Sequence, residues 1–444
     1  MTTQADTPGR LNLAVAIHGT GSAALSWKWP GTKWNRFNDF EFYRRSAEIA
    51  HRGVLDAVFV SDHPALSRDS SRAPTHVFDP TVLFSAIAAA VPDIGFVLTA
   101  SSTYNSPYNL ARRLGSLDTI SGGRVIWNAV SNFNPDIAAN FGADPLPSRA
   151  DRYRRADEFV ALVKELWLSW DTPVGEVPDG PLWDETTARK IDHHGEFFDV
   201  AGPLNVPIGP QGHPVIAQAG GSPAGIDFAG KHAEIVYAAL LTKQEAFAYG
   251  AKLAERAVAH GRPRDSIRLL PGLGVVLGDT REEAYRRHEA LNGSGSEEEL
   301  IADFAKKHRA SNPAFPENLD PDRPLNPDWF TSHEDQTRPI GFTQALADLI
   351  AGERLTARQV VRRTGPAGGH RLVIGTPREV ADDIIDWWSS GAVAGFNVHV
   401  PLLHEDLELF VEQVVPILQA EGVYPRTYDD ATIRDRFALP YPQA

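Results

Sequence analysis

A (β/α)8 barrel, the TIM barrel, with two insertions is the fold this sequence predicts, and three observations carry it. Eight short apolar runs alternate with segments of helical spacing, the mark of repeated βαβ units. The runs are nearly all apolar, as parallel strands buried on both faces should be. Their C-terminal ends carry polar residues unlike one another, at His18, Asp62-His63, 99–102, 128–132, 220–222 and His399, which suits a shaped pocket on one face of a barrel. An open doubly wound sheet is the alternative. It should show a GxGxxG turn after an early strand, and His18-Gly19-Thr20-Gly21 is only a fragment of one.

Strands are expected at 11–17, 55–60, 94–100, 124–130, 214–219, 234–239, 267–277 and 395–400. Helices are expected at 40–52, 80–90, 107–120, 150–170, from Pro223 up to the strand at 234, and at 243–260, 280–291, 377–390 and 405–420. The first has helical spacing in Phe40, Tyr43, Ala47, Ile49 and Ala50 and stops at Gly53, a natural residue past a helix end. The fourth stacks Tyr153, Ala156, Phe159, Val160, Val163 and Trp167 on one side. Residues 171–213, rich in Gly and Pro, read as a first insertion with a hairpin near 194–205. Residues 292–371 read as a second, with short helices around the Pro-rich run 312–330. A polar tail follows the last helix, and 1–444 is expected to be one barrel domain.

The chain is organised around 214–239. An apolar strand breaks at Gly220-Gly221; Ser222 is a good N-cap and Pro223 suits the first helical position. Glycines allow close backbone approach, and free N–H groups at a helix start favour an anion. Gly221 and Ser222 can therefore seat a cofactor phosphate, or can simply turn a strand into a helix.

The 444 residues, 42% apolar and 23% charged, can bury one large core or two ordinary ones. No apolar run is long enough to span a bilayer, and the opening MTTQADTPGR has no apolar core of a secretion signal, so a cytoplasmic protein is expected. A formal charge of −14 argues against a nucleic-acid partner. There is no cysteine and the only methionine is Met1, which excludes thiolate chemistry and Cys-ligated metal. Economy in a protein made under sulfur starvation, composition bias and protection from oxidation all fit that absence.

Several barrel chemistries lack their residues. The first strand ends Ile17-His18-Gly19 without a His-x-His pair; His193-His194 lies in an insertion; HExxH and GxSxG are absent, and no strand end offers a lysine. No metal site is expected. Cofactor chemistry remains, in which protein binds, orients and excludes water. Asp62 can accept a hydrogen bond from a ring N–H or can cap a loop. Thr99 and Asn128 can bond a ring edge or satisfy backbone. Arg149 and Tyr153, one turn apart, can share a phosphate, or can be a solvated cation beside a core phenol.

Together the stretches AHRGVLDAVFVSD (50–62), SGGRVIWN (121–128), NFG (140–142), RYRRADEFVALVKELW (152–167), QAGGSPAGIDFAGKHAE (218–234) and GTPREVADDIIDWW (375–388) identify a resemblance. The chain resembles the flavin-dependent monooxygenases of the bacterial luciferase superfamily, in the branch of nitrilotriacetate monooxygenase, dibenzothiophene-sulfone monooxygenase and the larger pristinamycin IIA synthase subunit. The resemblance implies FMN held by Asp62, Thr99, Tyr153 and Ser222, with Gly221 beside the phosphate. Asn128 would neighbour the reactive face of the flavin, and Asn128 and His18 are the catalytic candidates. The family usually has a histidine where Arg149 stands: a cation for the phosphate is kept, and proton transfer by a histidine there is lost. The first strand also departs, with His18-Gly19 and then Ala24-Leu25-Ser26-Trp27 in place of a Gly-His pair before Ala-x-Trp.

The implied chemistry is two-component. A separate NAD(P)H:FMN reductase supplies FMNH2, which with O2 gives a flavin C4a-(hydro)peroxide that oxygenates a small molecule. Water must be excluded, which fits 292–371 acting as a lid. Few cations appear at strand ends, and with the missing sulfur residues this favours a small organosulfur substrate over an aminopolycarboxylate or an antibiotic precursor. A non-catalytic flavin binder is the other reading. Family analogy implies a homodimer or homotetramer.

Overall fold

The computed structural model of the chain describes residues 9–23, 25–32, 36–66, 77–132, 134–142, 146–171, 183–292, 297–309, 312–330, 340–364 and 369–442. A parallel barrel closes through β1 (Asn12–Ala16), β2 (Ala57–Val60), β3 (Gly95–Ser101), β4 (Val125–Val130), β7 (Val215–Gln218), β8 (Ile235–Ala238), β9 (Arg268–Leu277) and β11 (Gly395–His399). Between β4 and β7 lies a short antiparallel pair, β5 (His193–His194) and β6 (Asp199–Val200). The helices up to the second insertion are α1 (Phe40–Arg52), α2 (Pro80–Ala90), α3 (Pro107–Ser121), α4 (Pro135–Asn140), α5 (Arg149–Trp167), α6 (Pro223–His232), α7 (Lys243–Ala259) and α8 (Arg281–Asn292). The eight-fold alternation read from the sequence is the one observed.

Among the described residues five helices have Pro as their first residue, at Pro80, Pro107, Pro135, Pro223 and Pro377, where the missing N–H costs nothing. At four of these starts the preceding Asp79, Asn134, Ser222 or Thr376 accepts a backbone N–H of the first turn. Local chemistry thus fixes where each strand-end loop stops, and with it the face on which functional residues gather.

Alternate strand residues face opposite sides. Val58, Leu98, Trp127, Ile216 and Val398 pack outward against the helices. Ala14, Phe59, Val97, Ile126, Ala217, Tyr237 and Leu270 fill the barrel interior. Further along the same inward rows the composition changes to His18, Ser61, Thr99, Asn128, Gly272, Gly274, Asn397 and His399. The barrel is apolar below and polar or open above. Fully burying one large apolar side chain contributes about 1.5–3 kcal/mol, so the lower layer holds the cylinder while the upper layer is left for chemistry.

The C-terminal segment is not simply a polar tail. Ile433, Phe437 and Leu439 join the interior cluster and floor the barrel, while Arg436 donates to the Asp56 carbonyl at 2.9 Å and Arg434 pairs with Glu234. Charged residues interleave with these few apolar ones, so no periodic signal survives in the sequence.

The second insertion carries helices around its Pro-rich run, as expected. Its helices α9 (Glu297–Arg309), α10 (Ile340–Glu353) and α11 (Ala357–Thr364) flank the Pro-rich run, which itself holds only a 3-10 turn at Pro327–Phe330. They share a small core of Phe304, Phe315, Phe330, Leu346 and Ile350. Residues 293–296, 310–311, 331–339 and 365–368 of this insertion lie outside the described residues, as does Ala24 of the first-strand motif.

An unanticipated strand, β10 (Arg371–Gly375), follows the insertion. β8 pairs with β9 up to Pro271, and β10 takes over from Leu273 to Leu277. Pro271, with no N–H to donate, stands at the change-over. After α12 (Pro377–Ser389), the expected helix 405–420 is broken into α13 (Glu405–Leu409), a π turn at Phe410–Val414 and α14 (Val415–Ala420). Pro416 cannot donate into a regular ladder, which accounts for the wider turn before it.

Candidate active site

Three adjacent strands set one wall of the mouth. Thr99 pairs in register with Asn128, and Asn128 with Ala217. Asn128 Nδ2 donates to Thr99 Oγ1 at 2.9 Å, while Asn128 Oδ1 is buried without a partner. Its neighbour Trp127 faces the other way, donates Nε1–H to the Ala100 carbonyl at 3.0 Å and packs edge-on against Trp167. The Trp anchors β4 to α5; the Asn faces the mouth.

From Ala217 the chain runs to Gln218, whose Oε1 is also buried and unpartnered, and then into Gly220-Gly221-Ser222. Ser222 Oγ accepts the Gly225 N–H at 3.1 Å and lies 3.4 Å from the Tyr153 hydroxyl. Tyr249 donates its hydroxyl to the Gly220 carbonyl at 3.0 Å. The room at this turn depends on its glycines: a β-carbon on Gly225 would sit 2.9 Å from the Tyr153 oxygen, and one on Gly221 would sit 2.5 Å from the Cα of Gly341 in α10. A cavity of about 150 Å³ lies beside the turn, lined by Gly221, Tyr249, Lys252, Gly341, Phe342 and Asp348 among others.

The remaining candidates sit around the same mouth. Asp62 follows β2; burial, reinforced by Asp79, raises its carboxyl to about 6 despite a hydrogen bond from the His63 N–H. His18 Nε2 accepts the Ser61 N–H at 2.7 Å and lies 2.9 Å from Ser61 Oγ. A ring nitrogen that accepts an N–H carries no proton, so His18 is the neutral tautomer with its hydrogen on Nδ1. Arg149 opens α5 four residues before Tyr153, half-buried, and its charge helps lower the basicity of Arg152, where burial is the larger cause. Tyr153, Gly221 and Ser222 meet, and so do Thr99 and Asn128. No hydrogen bond joins Arg149 to Ser222. The adjacent His193 and His194 diverge, the first to Glu158 at 3.1 Å and the second to Asp199 at 2.8 Å.

Sequence reasoning missed Gln218, Tyr249, Gly341 and His370. Tyr249 lies on a helix whose other residues give no functional signal, and Gly341 reaches the turn only through the fold of the insertion. The signal for His370 was present: β9 reads Pro271-Gly272-Leu273-Gly274, and glycines at alternate inward positions make space for a bulky neighbour.

A family model described as luciferase-like monooxygenase matches residues 19–394. The chain is 34% identical over 444 residues to N-acetyl-S-(2-succino)cysteine monooxygenase of Bacillus subtilis (strain 168), spanning 98% of this chain and 97% of that one. It is 34% identical over 462 residues to nitrilotriacetate monooxygenase component A of Aminobacter aminovorans, spanning 98% and 97%. The solved structure of EDTA monooxygenase from Chelativorans sp. BNC1 superposes with a TM-score of 0.82 at 39% identity, covering 98% of this chain and 99% of that one. A barrel with its polar residues gathered at one mouth, matched over most of its length by these proteins, leads to one assignment: the chain belongs to the luciferase-like monooxygenases, a family of flavin-dependent enzymes.

Proposed function

We propose that this chain is the oxygenase component of a two-component system. It takes FMNH2 from a separate NAD(P)H:FMN reductase in the cytoplasm and uses O2 to oxygenate a small organosulfur compound, working as a homodimer or homotetramer. The observation that carries the reading is the convergence of the Gly221–Ser222 turn and the Thr99–Asn128 pair on one mouth, with the buried acceptor of Asn128 left for a ligand.

The residues present fit FMN. The start of α6 suits the phosphate, and Ser222 and Tyr153 offer hydroxyls to it. Arg149 adds charge from the next helix. Asn128 Oδ1 and Asp62 suit ring N–H groups, and Thr99 orients the Asn128 amide. Reduced FMN, when bound, supplies the electrons that activate O2. The chain's own work is then to hold the ring over the apolar interior layer, to present the Nδ1 proton of His18 at the mouth, and to exclude water where α10 rests on Gly221.

An organosulfur substrate is favoured by the likeness to N-acetyl-S-(2-succino)cysteine monooxygenase and by the absence of Cys and internal Met. The likeness to the nitrilotriacetate and EDTA enzymes supports an aminopolycarboxylate as the second reading. The test is O2 consumption and product analysis with FMN, NADH and an added flavin reductase, over thioethers, sulfones, sulfonates and aminopolycarboxylates. Turnover of a sulfur compound is expected. Absence of FMN affinity in both redox states overturns the reading.

A further inference from the structure

Away from the mouth, a groove of about 770 Å³ opens between the last turns of α5 and α6, the residues after α7 and the stretch 189–191. Five cations line it: Lys164, Arg189, Lys190, Lys231 and Arg262. Against them, among the described residues, the lining offers one carboxylate, Glu165, which lies 3.8 Å from His193 Nδ1. In a chain of formal charge −14, so much of the opposite sign in one groove needs a cause.

The fold itself accounts for three of the five. Arg262 donates to the carbonyls of Gly230 at 2.8 Å and Ala233 at 2.7 Å, closing the end of α6. Arg189 pairs with Asp171 and reaches the Leu168 carbonyl at 3.2 Å, past the end of α5. Lys231 donates to Asp157 at 2.7 Å, a carboxylate it shares with His232. Two ammonium groups are left. Among the described residues neither Lys164 nor Lys190 has a hydrogen-bond or ion-pair partner.

Lys164 decides the matter. It lies in the last turn of α5, half-buried, yet its ammonium caps no helix carbonyl. Burial lowers its pKa against the pull of Glu234, and Arg262 and Arg434 lower it further. Glu234 is not its partner, being held by Arg434 and the Ile216 N–H. An ammonium drawn out of water beside other cations is costly, and an anion delivered to the groove would offset that cost.

Size and lining indicate which anion. Small-molecule sites run roughly 300–1,000 Å³, so the groove holds far more than one phosphate. Among the described residues its lining has no Phe, Tyr or Trp on which a base would stack, and lysines serve phosphate as point charges. The groove is separate from the flavin mouth: Tyr153 and Ser222 stand toward the opposite ends of α5 and α6, about 14–16 Å away along the helix axes.

We propose that this groove binds a polyphosphate chain, inorganic or carried by a nucleotide, with Lys164 and Lys190 as its free cations and Lys231 beside them. The proposal is independent of the flavin reading.

The test titrates tripolyphosphate, ATP and citrate into the full chain by calorimetry, in magnesium-free buffer at physiological salt. Both polyphosphates are expected to bind, and citrate about tenfold more weakly. Either polyphosphate sustains the site, and the tighter of the two names the source. Lys164→Gln should weaken both about 10- to 100-fold, the scale of one charge-assisted hydrogen bond. Lys164→Arg, which keeps the charge, should retain most of the affinity. Lys190→Gln should cost about two- to fivefold, as an exposed charge does. Melting temperature without ligand and FMN affinity should stay put in all three variants. Citrate binding as tightly as tripolyphosphate, no binding of either polyphosphate, or full affinity in Lys164→Gln overturns the proposal. Ser222→Asp fixes the place: polyphosphate binding kept there sustains the groove, and binding lost there assigns it to the flavin mouth and overturns the proposal.

Discussion

Gly221 and Gly341 meet backbone on backbone, close enough that a β-carbon on Gly221 would lie 2.5 Å from the Cα of Gly341. A residue at the turn after β7 and one in the first turn of α10 thus share a contact that only glycine permits. Gly221→Ala should force α10 off the turn. Overpacking of this kind costs about 1–3 kcal/mol, so faster limited proteolysis within 292–371 and roughly tenfold weaker FMN binding are expected. Unchanged cleavage would show that the contact holds nothing.

Ser222 has two duties that can be separated. Ser222→Ala removes the cap on α6, costing about 1 kcal/mol in urea unfolding. Ser222→Asp keeps a capping oxygen and adds a charge where the phosphate is proposed to lie. Ser222→Asp should therefore retain most of the stability and lose FMN affinity by more than tenfold, about 1.4 kcal/mol or more. Equal FMN affinity in the two variants would remove the phosphate from this turn.

If Asp62 holds the flavin ring as proposed, flavin affinity should depend on pH. Burial and Asp79 raise its carboxyl to about 6, so it is ionised above that pH and protonated below. An N–H donor favours the ionised form, so FMN should bind more weakly as pH falls from 7.5 to 5.5. Asp62→Asn should bind weakly at both pH values. Fluorescence titration of the two proteins measures this, and a wild-type affinity flat across that range would detach Asp62 from the ring.

Asp118 affects stability rather than binding. It is fully buried, and burial raises it to about 7 against the hydrogen bonds from Gln211 and the Val125 N–H. Its folded-state pKa lies above the unfolded value, so the folded chain holds the extra proton. Stability from this group is greatest below about 4 and declines as pH rises through 7. Between pH 5.5 and 8.5 the wild type should lose on the order of 2 kcal/mol more than Asp118→Asn in urea unfolding. Parallel pH profiles would exclude Asp118 as the source.

The barrel was legible because several helix starts are spelled locally, by a capping residue and then Pro. Asp79-Pro80, Ser222-Pro223 and Thr376-Pro377 are such starts. Tyr153 and Ser222 could be proposed as neighbours only through the resemblance, because they lie 69 positions apart and their contact depends on how α5 packs on α6. The floor residues Ile433 and Phe437, the strand at Arg371 and the approach of Gly341 to Gly221 were not legible. Each is decided by packing between distant segments, and none leaves a period in its own stretch of sequence. His370 falls between these cases, since Gly272 advertised a vacancy but not its tenant.

The apolar lower layer, floored by Ile433, Phe437 and Leu439, closes one end of the cylinder among the described residues. On the proposed function, flavin, substrate and products would share the open end, and departure order as well as affinity would set how such a vessel cycles.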